Sequence, residues 1–118
     1  MTEQRHDSHS TEFGLWLRNQ KEIDSSEGFL ATNIDYVWEN YKTRNWMMIE
    51  EKRYNRQSKE WQKFIFKMLD LLCRVDKNYK GFHYLIFEFT NPDDGKMFWD
   101  NIEINREQLI KILRFENG

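Results

Sequence analysis

The chain has 118 residues, with eighteen Lys and Arg against twenty Asp and Glu, nineteen aromatic residues and one cysteine. That length holds a single core with little room for a second, and the aromatic content excludes a disordered chain. Lone Cys73 excludes an internal disulfide, no apolar run approaches membrane-spanning length, and MTEQRHDSHST lacks a basic-then-apolar leader, so no membrane partner and a cytoplasmic setting are expected.

Residues 1–10 read as a flexible polar tail, with His6, Asp7 and His9 belonging to it rather than to a metal site, and residues 11–118 as one domain. Thr11 is placed to cap a first helix reaching Ile23, with Phe13, Trp16, Leu17 and Gln20 on one side. DSSEG, Asp24 to Gly28, carries turn chemistry. A first strand is expected from Phe29, either continuous to Asn40 with an irregularity near Thr32 or split in two.

Ala31 to Arg53 reads as a hairpin with Asp35 on one strand and Glu50 and Lys52 on the other. Alternate residues of a strand share a face, so Glu50 and Lys52 project together and Glu51 projects away. A four-residue loop, Lys42 to Asn45, would pair Tyr41 with Trp46 and set Asp35 opposite Lys52 and Val37 opposite Glu50, all on that face. A slip of one residue would send Asp35 to the far side.

A second helix is expected over about Gln57 to Val75, with Trp61, Phe64, Ile65, Met68, Leu72 and Val75 as its core stripe and Lys59, Lys63 and Lys67 as a basic line. Lys42 to Lys80 holds eleven basic residues against five acidic ones in a chain of net charge −2, which concentrates positive charge around the hairpin. FHYLIFEFT, Phe82 to Thr90, reads as a strand buried on both faces. KMFWDNIEIN adds one or two short strands, and Asn105 and Gln108 cap a last helix from Arg106 to about Phe115, burying Leu109, Ile112 and Leu113.

Two carboxylates and an ammonium on one face suit a magnesium (or manganese) site for phosphodiester hydrolysis. About two acid-x-Lys triplets arise by chance in a chain of this size, and two occur; Asp94-Gly95-Lys96 lies in a turn, Glu50-Glu51-Lys52 at the end of an apolar run. The pattern resembles the PD-(D/E)XK nuclease superfamily: Asp35 matches the aspartate of its second core strand, and Glu50 to Lys52 match the (D/E)-x-K triplet of its third. QSKEW resembles the Gln-x-x-x-Tyr element of some branches, with Trp61 in place of tyrosine. No proline precedes Asp35, and an acidic residue occupies the middle of the triplet.

The resemblance implies an α+β, α/β-sandwich fold with a restriction-endonuclease-like core, helix-strand-strand-strand-helix-strand, here extended by a strand and a helix. It implies a DNA endonuclease of repair, recombination or phage metabolism, and the sequence does not choose between DNA and RNA. Asp35, Glu50, Lys52 and Gln57 would be catalytic; Asp35, Glu50 and Glu51, the last through its carbonyl, would hold Mg2+ or Mn2+. Arg53, Arg56, Lys59, Lys63 and Lys67 would meet nucleic acid, Glu12, Glu22 or Glu27 would supply a third carboxylate, and a homodimer would let two strands be cut. The competing expectations are a catalytically inactive member of the same fold, a nucleic-acid-binding module, and a small adaptor using aromatics such as Trp46 or Trp99.

Overall fold

The computed structural model describes residues 12–116, which form two compact units, 12–33 and 34–116. The tail expected at 1–10 and the cap expected at Thr11 lie outside the described residues. In the first unit, helix α1 (Glu12–Arg18) is followed by single 3₁₀ turns at Lys21–Ile23 and Ser25–Glu27. The helix ends short of Ile23 because the amides of Asn19 and Gln20 turn back to the carbonyls three residues earlier, and Gln20 Nε2 takes the Trp16 carbonyl at 3.1 Å. Asp24 opens the last 3₁₀ turn by accepting from the Ser26 amide at 2.9 Å, and Gly28 closes it at φ 95°.

No strand forms between Phe29 and Asp35, so two strands rather than three precede the second helix among the described residues. A strand exists only through pairing, and Phe29 and Leu30 instead lie exposed.

The second unit is α+β: a five-stranded mixed sheet with helices α2 (Glu60–Cys73) and α3 (Arg106–Leu113). Strands β1 (Tyr36–Glu39), β2 (Trp46–Lys52), β3 (Tyr79–Phe87), β4 (Met97–Trp99) and β5 (Ile102–Ile104) lie in sequence order. The β2–β3 pair is parallel, its connection running through α2, and the other three pairs are antiparallel. Asp100 and Asn101 make the two-residue β4–β5 turn, both at positive φ as a type I′ turn requires.

Met47, Ile49, Phe87, Met97 and Trp99 point to one face of the sheet and pack beneath Leu109 of α3, with Leu85, Ile104, Ile112 and Leu113 around them. On the other face Phe66 of α2 is fully buried, its ring 4.5 Å from Phe82 and 6.2 Å from Tyr84. Burial on both sides explains why WMMI is apolar without alternation.

The expected core stripe of α2 is overturned. Gln62 and Phe66 are buried, whereas Phe64, Met68, Leu71, Leu72 and Val75 are exposed, and Trp61 and Ile65 are half-buried. The helix is apolar around more than half its circumference. Two arcs therefore satisfy spacings of three and four, and periodicity does not choose between them. Trp99 is likewise core, stacked on His83 at 4.8 Å, and Trp46 packs on Tyr79 at 4.7 Å, which removes both as free aromatic handles.

Candidate active site

The hairpin register fixes which side chains meet. Tyr36 pairs with Ile49 and Glu39 with Trp46, so the loop spans six residues, Asn40 to Asn45, instead of four. Asn40 accounts for the longer loop: its side-chain oxygen accepts from the Lys42 amide at 2.8 Å and the Thr43 amide at 3.3 Å. Continuing the ladder one step beyond Tyr36 sets Asp35 opposite Glu50 rather than Lys52. The shift is two residues, and an even shift preserves the face.

Glu50 and Lys52 accordingly project with Asp35 on the α2 side of the sheet. Asp35 lies just before β1, anchored where its Oδ2 accepts the Glu51 amide at 2.8 Å. The N–H and C=O of a strand residue leave on the same side, so the Glu51 carbonyl also emerges toward Asp35. Lys52 Nζ stands 3.1 Å from Glu50 Oε2.

Glu50 is only 3% exposed, and its second oxygen, Oε1, is buried without a hydrogen-bond donor. The facing Asp35 carboxyl can serve as a donor only when a proton is shared between them. Burial, reinforced by the Asp35 charge and opposed by Lys52, pushes the Glu50 carboxyl up to about 7. Burial also raises Asp35, against the hydrogen bond from the Glu51 amide. Two acids and one lysine in a half-dry site leave negative charge that a proton or a cation would balance.

Glu51 faces the α3 side. Its carboxylate is engaged there by Arg53 Nε at 2.9 Å and the Tyr36 hydroxyl at 3.2 Å, so only its main chain borders the carboxyl pair. The basic partner that an acidic middle residue needs is thus Arg53, which accordingly has less freedom to meet a substrate.

Gln57 does not begin a helix. It is exposed in the loop before α2, whose N-cap is Lys59, so the QSKEW spacing does not place Gln57 and Trp61 on one helical face. The buried in-helix pair is Gln62 and Phe66, again four residues apart, with Gln62 Oε1 accepting the Lys59 amide at 3.2 Å. Tyr84, paired with Glu50 across β2–β3, brings its phenol to the same face; burial and then the Glu50 charge raise its pKa. Tyr84 is the residue of this face that sequence reasoning missed, and alternation along β3 was the available signal.

Arg56, Lys59 and Lys67 are exposed and Lys63 is half-exposed. Glu12, Glu22 and Glu27 belong to the first unit, whereas the carboxyl pair is built within the second. Among the described residues no group of three or more His, Cys, Asp or Glu is arranged to hold a metal ion. The donors present are two carboxylates and one carbonyl, a set that suits an ion retaining several waters, as magnesium does.

His83 is not a free base: Nδ1 lies 2.7 Å from Asp100 and Nε2 2.7 Å from the Lys80 carbonyl. No helix among the described residues is long and apolar enough to cross a membrane. No protein-family model matches the chain, and no curated protein or solved structure matches it.

Proposed function

We propose that the chain is a metal-dependent endonuclease of the PD-(D/E)XK type acting on DNA, with RNA as the second substrate to assay. The observation that carries the reading is the buried Glu50 carboxyl, one oxygen without a donor, facing Asp35 and held 3.1 Å from Lys52 Nζ. A buried acid with one oxygen left without a donor is costly, and sites that retain such a cost are enriched in function. The restriction-endonuclease-like core is part of the proposal: β1, β2, α2 and β3 supply its last two hairpin strands, helix and parallel strand, one strand short of the full expectation.

Asp35, Glu50 and the Glu51 carbonyl would hold Mg2+ or Mn2+, which when bound supplies charge stabilisation to a phosphodiester and lowers the pKa of a water. Lys52 orients that water and offsets charge gathering on the phosphate. Tyr84 would border the carboxyl pair from β3. Lys59, Lys63 and Lys67, with Arg56, give the loop and α2 a basic flank for the backbone of the substrate.

The test is nicking of flap, junction and plain duplex DNA, and of RNA, with and without magnesium or manganese. Cleavage should require the metal and be lost in Lys52→Ala, while DNA binding survives, because the lysine acts chiefly in the transition state. Neutralising Lys59, Lys63 and Lys67 should flatten the salt dependence of binding by roughly 0.9 log units for each phosphate that a lysine no longer meets. A second reading, a protein-binding module of the same fold, rests on the exposed apolar arc of α2. Inactivity of the parent on every substrate and metal would favour it.

A further inference from the structure

A second constructed surface lies away from the carboxyl pair, where the β1–β2 turn meets the end of α3. A groove of about 460 Å³ opens there, lined by the apolar Trp38, Tyr41 and Leu113 and by the charged Glu39, Lys42 and Arg114. Its size falls within the roughly 300–1,000 Å³ of small-molecule sites.

The walls are fixed in advance. Trp38 Nε1 donates to the Leu113 carbonyl at 2.8 Å, which pins the indole while leaving the residue 42% exposed. Tyr41, 74% exposed, and Lys42 sit on a turn held by internal hydrogen bonds, four of which involve Asn40. The Asn40 amide donates to the Asn45 carbonyl, the Arg44 amide to the Asn40 carbonyl, and the Lys42 and Thr43 amides to the Asn40 side chain. Two aromatic side chains of one groove are therefore open to solvent in part, on a backbone that is already ordered.

Charge decides what kind of ligand fits. The end of a helix ordinarily offers free carbonyls and a negative dipole. Here the last four carbonyls of α3 are taken: Ile110 by the Arg114 amide, Lys111 by Glu116, Ile112 by Phe115 and Leu113 by Trp38. Glu39 is neutralised by Arg44 at 3.2 Å, and Glu116 by Arg114 at 2.8 Å. Lys42 makes no ion pair among the described residues. The groove thus presents aromatic faces and an uncompensated cation, which match a flat ring carrying an anion.

We propose that this groove binds a nucleotide, its base against Trp38 and Tyr41 and its phosphate toward Lys42. Stacking on aromatic side chains accepts any base, so recognition is of the nucleotide class and not of a sequence. Trp38 lies on the α3 side of β1 and Asp35 on the α2 side, about 10 Å apart along the strand. The groove is therefore a separate site, and a strand touching both would pass around β1, the edge of the sheet. Free mononucleotides and single-stranded nucleic acid share this chemistry.

The experiment follows the Trp38 indole N–H by NMR, assigned by its loss in Trp38→Phe, with metal chelated so that nothing is cleaved. Ligands are dAMP, deoxyadenosine, deoxyribose 5-phosphate, a short single strand and the matching duplex. Saturable shifts are expected with dAMP and the single strand, weaker ones with the nucleoside, and none with the sugar phosphate. A single strand binding much more tightly than dAMP assigns the groove to nucleic acid, and equal affinities assign it to free nucleotide. Tyr41→Ala should weaken binding about tenfold, and Lys42→Gln should weaken dAMP but not deoxyadenosine. Absence of saturable shifts at millimolar ligand, or unchanged affinity in Tyr41→Ala with its fold intact by circular dichroism, overturns the proposal. The readout is binding without catalysis, so its failure is separable from a failure of the nuclease reading.

Discussion

Asp35 stands opposite Glu50, one step past the Tyr36–Ile49 pair, and this places two carboxyls together on the partly closed α2 side of the sheet. Their proximity costs stability whenever both are ionised. Lys52 offsets only part of that cost, because its ammonium meets one oxygen of Glu50 and leaves the other bare.

Glu50 should therefore make the metal-free protein less stable as pH rises. The unfolded glutamate titrates near 4.5 and the folded one at about 7. Between those values the folded chain keeps a proton that the unfolded chain has released, so stability falls through that window and levels off above it. The loss is on the order of 3 kcal/mol. Glu50→Gln should flatten the profile and raise stability above neutrality. Urea unfolding across the window checks this, and an unchanged slope in Glu50→Gln would show that another group is responsible.

The two glutamates of the triplet should behave differently in catalysis. Glu50→Gln is expected to abolish metal-dependent cleavage, whereas Glu51→Gln leaves the carbonyl in place and should retain activity, because its side chain meets Tyr36 and Arg53 on the opposite face. Single-turnover cleavage rates make the comparison. Equal losses in the two variants would contradict the assignment of faces.

Two phenylalanines of α2, two residues apart, provide a test of which face the helix buries. Phe66→Ala should cost about 3–5 kcal/mol, the range for a fully buried aromatic. Phe64→Ala, at a site 73% exposed, should change stability by about 0.5 kcal/mol or less. Chemical denaturation of both variants gives the result, and a reversed order would restore the stripe expected from periodicity.

His83 should add a second, smaller pH dependence. Burial alone would lower its pKa, but hydrogen bonds to Asp100 and the Lys80 carbonyl outweigh it and raise the value above 6.5. Its contribution is then complete below 6.5 and is lost as pH rises through the elevated value. With Asp100 partly exposed, the effect is about 1 kcal/mol or less. Gly81 permits the arrangement: it has φ 107°, and a Cβ there would stand 3.0 Å from His83 Nε2. Asp100→Asn should lower the His83 pKa, which an NMR titration of the imidazole would read directly.

Features set by chemistry within a few residues were legible in the chain alone. Strand alternation made Glu50 and Lys52 share a face with Glu51 opposed, and Asn105 and Gln108 cap α3 through reciprocal bonds of 2.8 Å. Features that depend on a distant partner needed the folded chain. The turn built by Asn40 moved the register by two, leaving the side of Asp35 unchanged but replacing Lys52 with Glu50 as its opposite residue. Only the position of β3 selected which arc of α2 is covered and brought Tyr84 to the site face. Phe29 to Asp35 carries residues compatible with a strand, but strand formation requires a partner, and a sequence segment does not specify its own partner.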